Sequence, residues 1–152
     1  MPLKRTIEKA ERDKRQGKSA STQAGEFVRE EIDKIRHGEH GARSAKQAIA
    51  IGLSEARRAG VDLPPPARGQ TSERTRKSAE YAYEAGQGIR KPKRSKRRSH
   101  AATKAVKREP HTTVSRKALS RQAQSAASRR TAAQRSAAAK KAARTRKRRA
   151  GR

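Results

Sequence analysis

Apolar side chains recur at three- and four-residue steps over the first 60 residues, which is the spacing of one face of an α-helix. The pattern predicts three helices, over about residues 6–16, about residues 22–37 and from Ser44 to about residue 59. Each predicted helix is followed by a glycine, and glycine readily takes the left-handed conformation that ends many helices. The first 63 residues are therefore predicted to form a small helical module.

The second predicted helix is the most clearly amphipathic. Its apolar face consists of Ala24, Phe27, Val28, Ile32 and Ile35. The remaining positions are predicted to face solvent, and they include Glu26, Arg29, Glu30, Asp33, Lys34 and Arg36. We interpret the carboxylates Glu30, Glu31 and Asp33 as surface ion-pairing groups beside basic neighbours rather than as a catalytic acid and base.

The third predicted helix has the best-defined ends. Ser44 followed by Gln47 is typical of a capping box, and Gly60 precedes Val61 in a Schellman-type closure. Its apolar face consists of Ala45, Ala48, Ile49, Gly52, Leu53 and Ala56. The apolar inventory of the module is small for a free-standing domain, so we expect self-association or a protein partner through residues 22–60.

The pattern changes at the proline run of residues 64–66. Residues 64–89 are predicted to be a linker with a short helix from about Glu73 to Ala85, and residues 90–152 a polybasic tail. Residues 115–149 consist almost entirely of Ala, Ser, Thr, Gln, Lys and Arg, which favour a helix, but their like charges oppose one. The predicted fold is all-α, with a three-helix module before a largely disordered tail that becomes helical on its partner.

Charge is divided unevenly along the chain, whose net charge is +28. Residues 1–63 contain 14 Lys and Arg and 10 Asp and Glu, whereas residues 64–152 contain 28 and 4. A segment with this imbalance repels itself unless a polyanion neutralises it, and nucleic acid is the obvious polyanion. The residues that we predict to contact phosphates are Arg90, Lys91, Lys93, Arg94, Lys96, Arg97, Arg98, Arg129, Arg130, Lys140, Lys141, Arg144, Arg146, Lys147, Arg148 and Arg149.

Duplex DNA is favoured over RNA because the chain has few aromatic side chains for stacking on unpaired bases. It contains one Phe, which is predicted to be buried, and Tyr81 and Tyr83, which lie on different faces of a helix.

No enzyme signature, cofactor site or metal site is predicted. The chain has no Cys, His37 and His40 suit a helix end and a turn, and the glycines form no phosphate-binding loop. No apolar run approaches the length of a membrane span, so we expect a cytoplasmic protein without membrane contact.

Residues 41–60, with the segment Ser-Ala-Lys-Gln-Ala-Ile-Ala-Ile-Gly-Leu-Ser-Glu-Ala from Ser44 to Ala56, resemble a segment of small basic bacterial proteins of unknown function. Members of that family are sometimes labelled plasmid-stabilisation or DNA-binding proteins, and the resemblance implies a bacterial source but no site residues. The tail separately resembles the Ala/Lys-rich tails of linker histones and bacterial histone-like proteins.

These observations favour a sequence-independent DNA-binding protein of the bacterial nucleoid, or one of plasmid maintenance, that binds the phosphate backbone. Two alternatives stay open. One is an RNA- or ribosome-associated basic protein, and the other is a protein-interaction module with an electrostatic tail.

Overall fold

The computed structural model describes residues 2–91 and 95–151, except for the side chain of Arg149. All regular secondary structure in these residues is helical, and none of the described helices is long and apolar enough to cross a membrane. The chain forms two compact units, one up to Ser115 and one from Arg116 onward. The helices are α1 (Lys4–Arg15), α2 (Ala20–Arg36), α3 (Ala45–Arg58), α4 (Glu73–Gly86), α5 (Lys96–Lys107), α6 (Arg116–Ser128) and α7 (Ala132–Ala150), with a 3-10 turn at Thr112–Val114.

The three N-terminal helices are confirmed, with ends within about two residues of the predicted ones. Gly17, Gly38 and Gly60 follow them with positive φ angles of 67°, 79° and 88°. The Ser44 hydroxyl accepts a hydrogen bond from the Gln47 backbone N–H at 3.2 Å. The reciprocal half of the predicted capping box is displaced by one residue, because the Gln47 side chain accepts from the N–H of Arg43.

The prediction of a largely disordered tail is wrong, because α5, α6 and α7 occupy it. Helix α4 matches the short helix predicted in the linker from about Glu73 to Ala85. Ala, Gln, Lys and Arg all have high helix propensity, and repulsion between neighbouring cations on a helix is only about 0.2–0.5 kcal/mol per pair. Good caps add to the propensity. Thr131 forms a complete capping box with Gln134 at the start of α7, and the Ser95 hydroxyl caps α5.

Helix α2 lies at the centre of the first unit, since α1 and α3 both pack on it, and α4 packs on α3. Phe27 is fully buried in a cluster that includes Ala24 and Ala56. The α2 and α3 backbones approach closely at Gly52, where a Cβ atom would lie only 2.7 Å from the Cα of Val28. The small residues of α3 therefore compensate for the small number of large apolar side chains.

A second cluster extends the core to the region after α5. Val114 is fully buried with Ile35, Ala42 and Ala48. Residues 106–114, here called the docking segment, lie along the loop between α2 and α3. The N–H of Gly41 donates to the carbonyl of Val106 at 3.0 Å, and that of Ala42 donates to the carbonyl of Pro110 at 3.1 Å.

The carboxylates Glu30 and Glu31 were predicted to face solvent, and that prediction is wrong. Glu30 is 6% exposed and Glu31 is 1% exposed, whereas Asp33 is exposed as predicted. The start of α1 covers Glu30, whose carboxylate accepts the backbone N–H of Leu3 at 3.0 and 3.2 Å and pairs with Lys34. A helical wheel built from the apolar residues of α2 contains no information about this polar contact.

Two helical glycines should respond in opposite ways to replacement by alanine, because only Gly52 lies where α2 and α3 approach closely. Gly52→Ala should destabilise the fold by about 1–3 kcal/mol, because its Cβ would overlap the Val28 backbone. Gly25→Ala, in α2, meets nothing within 4 Å and should stabilise the fold by up to about 1 kcal/mol through helix propensity. Urea unfolding followed by circular dichroism measures both, and a stabilising Gly52→Ala would contradict the packing.

The burial of Val114 predicts that a residue distant in sequence from the N-terminal helices contributes to their stability. Val114→Ala should lower the free energy of unfolding by about 1–3 kcal/mol, because it leaves a cavity beside Ile35. Ile89→Ala is the control, since Ile89 is 71% exposed and should change little. Equal, small effects of the two substitutions in urea unfolding would show that residues 106–114 are not part of the core.

Candidate nucleic-acid interface

Helix α5 carries cations on one side. At 100° per residue, Lys96, Arg97, Lys104 and Lys107 fall within about one third of the helix circumference, and all four are exposed. We call these four residues the α5 face. No residue of α5 is buried, so this helix is accessible to a ligand along its whole length.

An open hollow lies alongside the α5 face. It has a volume of about 480 Å³ and is lined by Ser95, Lys96, Ser99, His100 and Thr103. The ammonium and hydroxyl groups of this lining can donate hydrogen bonds to phosphate oxygens. Because the hollow is open to solvent, it suits an extended polymer better than a small molecule.

Helix α7 has a longer run of basic residues. Lys140, Lys141, Arg144, Lys147 and Arg148 are exposed and again fall within about one third of the circumference. We call these five residues the α7 face. Arg146 lies on the other side of the helix, where most residues are Ala. No acidic residue occurs anywhere in α5, α6 or α7.

The cations of these helices have no carboxylate partners within the described part of the chain. Ion pairs of the basic residues elsewhere are numerous, and they include Lys18 with Asp13, Lys34 with Glu30 and Arg76 with Glu73. Among the described residues after residue 94, no Lys or Arg forms one; Glu109 is there, but it pairs with Arg43 of the N-terminal region. The α5 face and the α7 face are therefore electrostatically uncompensated.

The structure separates the sixteen predicted contact residues into several groups. Arg90 is exposed but engaged, because its Nε atom lies 2.6 Å from the Glu84 carboxylate and its guanidinium lies over the ring of Tyr81. Lys91 is exposed between α4 and α5. Lys93, Arg94 and the side chain of Arg149 lie outside the described residues.

The other predicted contacts lie on or between the basic helices. Lys96, Arg97 and Arg98 form the first turn of α5, with Arg98 on the side away from the α5 face. Arg129 and Arg130 lie in the turn between α6 and α7. The remaining six lie on α7, and they are Lys140, Lys141, Arg144, Arg146, Lys147 and Arg148.

Sequence reasoning missed the residues that complete the α5 face. Lys104 and Lys107 follow Lys96 and Arg97 at helical spacing, and this spacing was the available signal. It was overlooked because residues 90–98 were treated as one polybasic run. Four further cations on α6 and α7 were also missed, and they are Arg116, Lys117, Arg121 and Arg135.

A match to a known family lies in the N-terminal part of the chain. Residues 3–67 match a family of unknown function (DUF6496). The match supports the expected resemblance to an uncharacterised family. It covers α1, α2 and α3, and it includes neither the α5 face nor the α7 face. No curated protein and no solved structure matches the chain.

A group of titratable side chains lies inside the N-terminal helices. Burial raises the pKa of Glu31, and the nearby charge of Glu55 raises it further, although His40 and Lys34 act in the opposite direction. His40 lies in the loop after α2, with its Nε2 atom 3.6 Å from the Glu31 carboxylate. Burial also disfavours the charged form of Glu30, but hydrogen bonds from Lys34, Thr6 and the Leu3 N–H outweigh it and lower that pKa.

Glu30 and His37 in this region have structural partners. His37 caps the end of α2, as predicted, with its Nδ1 atom 2.8 Å from the carbonyl of Asp33. Within the described residues, His, Asp and Glu side chains form no group of three that could hold a metal ion. The basic helix faces are therefore the better candidate for a functional site.

The raised pKa of Glu31 predicts a pH-dependent gain in stability for Glu31→Gln. Above the folded-state pKa the wild-type chain buries a charge, which Gln removes, so the variant should be more stable at neutral pH. The gain should shrink as the pH falls through that pKa and vanish below about 4.5, where Glu31 is protonated in both the folded and unfolded states.

Thermal unfolding of both proteins between about pH 4, near the pKa of a free glutamate side chain, and about pH 7.5 measures this difference. Glu8→Gln is the control, because Glu8 is exposed on α1 and its charge is not buried. Destabilisation by Glu31→Gln at neutral pH would show that attraction to His40 and Lys34 outweighs the burial of the charge.

Proposed function

We propose that this protein binds duplex DNA through its phosphate backbone, without sequence preference, as a nucleoid-associated or plasmid-maintenance protein of the bacterial cytoplasm. One observation carries the proposal. The α5 face and the α7 face present nine exposed cations on helices that contain no acidic residue. A polyanion supplies the charge that the chain itself lacks.

Counterion release provides the driving force. Each Lys or Arg that neutralises a phosphate frees condensed cations from the duplex, so the affinity grows with the number of contacts and falls as the salt concentration rises. The cations lie in a row along each helix, so several of them can neutralise phosphates of the same duplex. Contacts to phosphates position a protein on DNA but do not read its sequence.

The aromatic side chains support duplex DNA as the ligand. Recognition of single-stranded RNA commonly relies on aromatic rings that stack on exposed bases. Phe27 is fully buried, the Tyr83 hydroxyl donates to the Asp62 carboxylate at 2.8 Å, and the guanidinium of Arg90 covers Tyr81. The three aromatic residues of the chain are therefore engaged within it.

The N-terminal helices contribute a platform for one of the basic helices. The docking segment attaches the C-terminal end of α5 to the loop between α2 and α3 through the hydrogen bond between Gly41 and Val106. Val106 lies away from the α5 face on the helix. The attachment therefore leaves the α5 face open to DNA.

The test is the salt dependence of affinity for a random duplex of about 30 base pairs, where the wild-type slope of log affinity against log salt should be about −5 to −10. Replacing both faces by Gln should make the slope shallower by about five or more and weaken binding about 100-fold or more at low salt. The substitutions are K96Q, R97Q, K104Q, K107Q, K140Q, K141Q, R144Q, K147Q and R148Q.

A matched control removes the same number of exposed cations from the first three helices and their flanks. Its substitutions are K4Q, R5Q, K9Q, R12Q, K14Q, R15Q, R29Q, K46Q and R58Q. Because net charge changes equally, only the location of the cations distinguishes the two variants. An equal loss of affinity in both would refute the assigned interface, and displacement of duplex by structured RNA at equal nucleotide concentration would favour an RNA-binding function.

A further inference from the structure

We infer that a single chain binds two DNA duplexes at once, one on the α5 face and one on the α7 face. The inference rests on the proposed function and adds to it a mode of action, which is cross-bridging of DNA. It begins from the division of the chain into two compact units, since α5 belongs to the first unit and α7 to the second.

Each face is large enough to bind a duplex alone. The α5 face extends over about 16 Å of helix and the α7 face over about 12 Å, from the rise of about 1.5 Å per residue. A duplex presents one negative charge per about 1.7 Å of its axis. The length of duplex opposite each face therefore carries more phosphates, counted over both strands, than the face has cations, so one duplex can neutralise all four or five of them.

Occupancy of one face leaves the other uncompensated. Neither α5 nor α7 contains an acidic residue that could pair with its cations when the other helix is bound. From residue 116 to residue 152 the chain contains 14 Lys and Arg and no Asp or Glu, so the second unit provides no internal counter-charge. When DNA is abundant, a second duplex supplies the missing anions.

Bivalent binding differs from coating a single duplex in an observable way. A ligand with two sites links two polymers at intermediate concentrations, and excess ligand abolishes the links because each polymer is then saturated separately. A monomeric protein with one composite binding surface holds a single duplex and forms no links. Capture of one duplex by another therefore reports on the two faces independently of affinity.

The experiment uses the full chain, a bead-tethered random duplex and a fluorescent duplex, each of about 15 base pairs and hence about 50 Å long. Wild-type protein should retain fluorescence on the beads, with a maximum at intermediate protein concentration. Affinity for one duplex is measured in parallel by fluorescence anisotropy, and far-ultraviolet circular dichroism verifies that each variant is folded.

Two variants each remove one face. The α5-face variant carries K96Q, R97Q, K104Q and K107Q, and the α7-face variant carries K140Q, K141Q, R144Q, K147Q and R148Q. Each should still bind one duplex, but capture should fall about tenfold or more, because only one site remains. The control removes five exposed cations of α1 and α3, as many as the α7-face variant, and should retain capture; it carries K9Q, R12Q, K14Q, K46Q and R58Q.

The outcomes separate bridging from simple DNA binding. Wild-type binding without capture would overturn bridging and leave the proposed function intact, whereas absence of binding would overturn both. Retained capture by both single-face variants would overturn the inference, because self-association of the chain would then be forming the links. Complete loss of binding in either variant would also overturn it, since the other face would not be a site.

Discussion

The uncompensated positive charge of α5, α6 and α7 dominates the physical chemistry of the C-terminal region. These helices contain no acidic residue, so electrostatic repulsion within the C-terminal region cannot be relieved by ion pairs inside it. Alanine-rich sequence and good caps keep the helices formed in spite of this repulsion. Each of these helices therefore presents cations without an internal counter-charge, which under the proposed function an external anion supplies.

The N-terminal helices form a core although the chain has few large apolar residues. Close backbone contact at Gly52 brings α2 and α3 together, and Phe27 and Ile35 occupy two small clusters. Val114, which follows α5 in the sequence, completes the second cluster. The part of the chain that matches an uncharacterised family is thereby joined physically to one of the proposed DNA-binding helices.

Local features of the sequence predicted α1, α2 and α3, because amphipathic spacing, Ser44 and the terminal glycines act within a few residues. Features that depend on distant contacts were not predictable in the same way. Val114 has no periodic apolar neighbours, and Glu30 is buried because the start of α1 folds over it. The basic helices were predicted to be disordered because charge repulsion was given more weight than helix propensity. Without a predicted helix over residues 96–107, the helical spacing that places Lys104 and Lys107 on the α5 face could not be recognised.

Amide hydrogen exchange on the full chain, with and without random duplex DNA, tests most directly where the charge is neutralised. Exchange in α5 and α7 should be slower when duplex is present, since phosphate contacts relieve the repulsion that promotes their opening. Added salt should reverse this protection, and exchange in α1 should stay unchanged. Protection confined to α1, α2 and α3 would instead assign DNA contact to the N-terminal helices and refute a role for the basic helices.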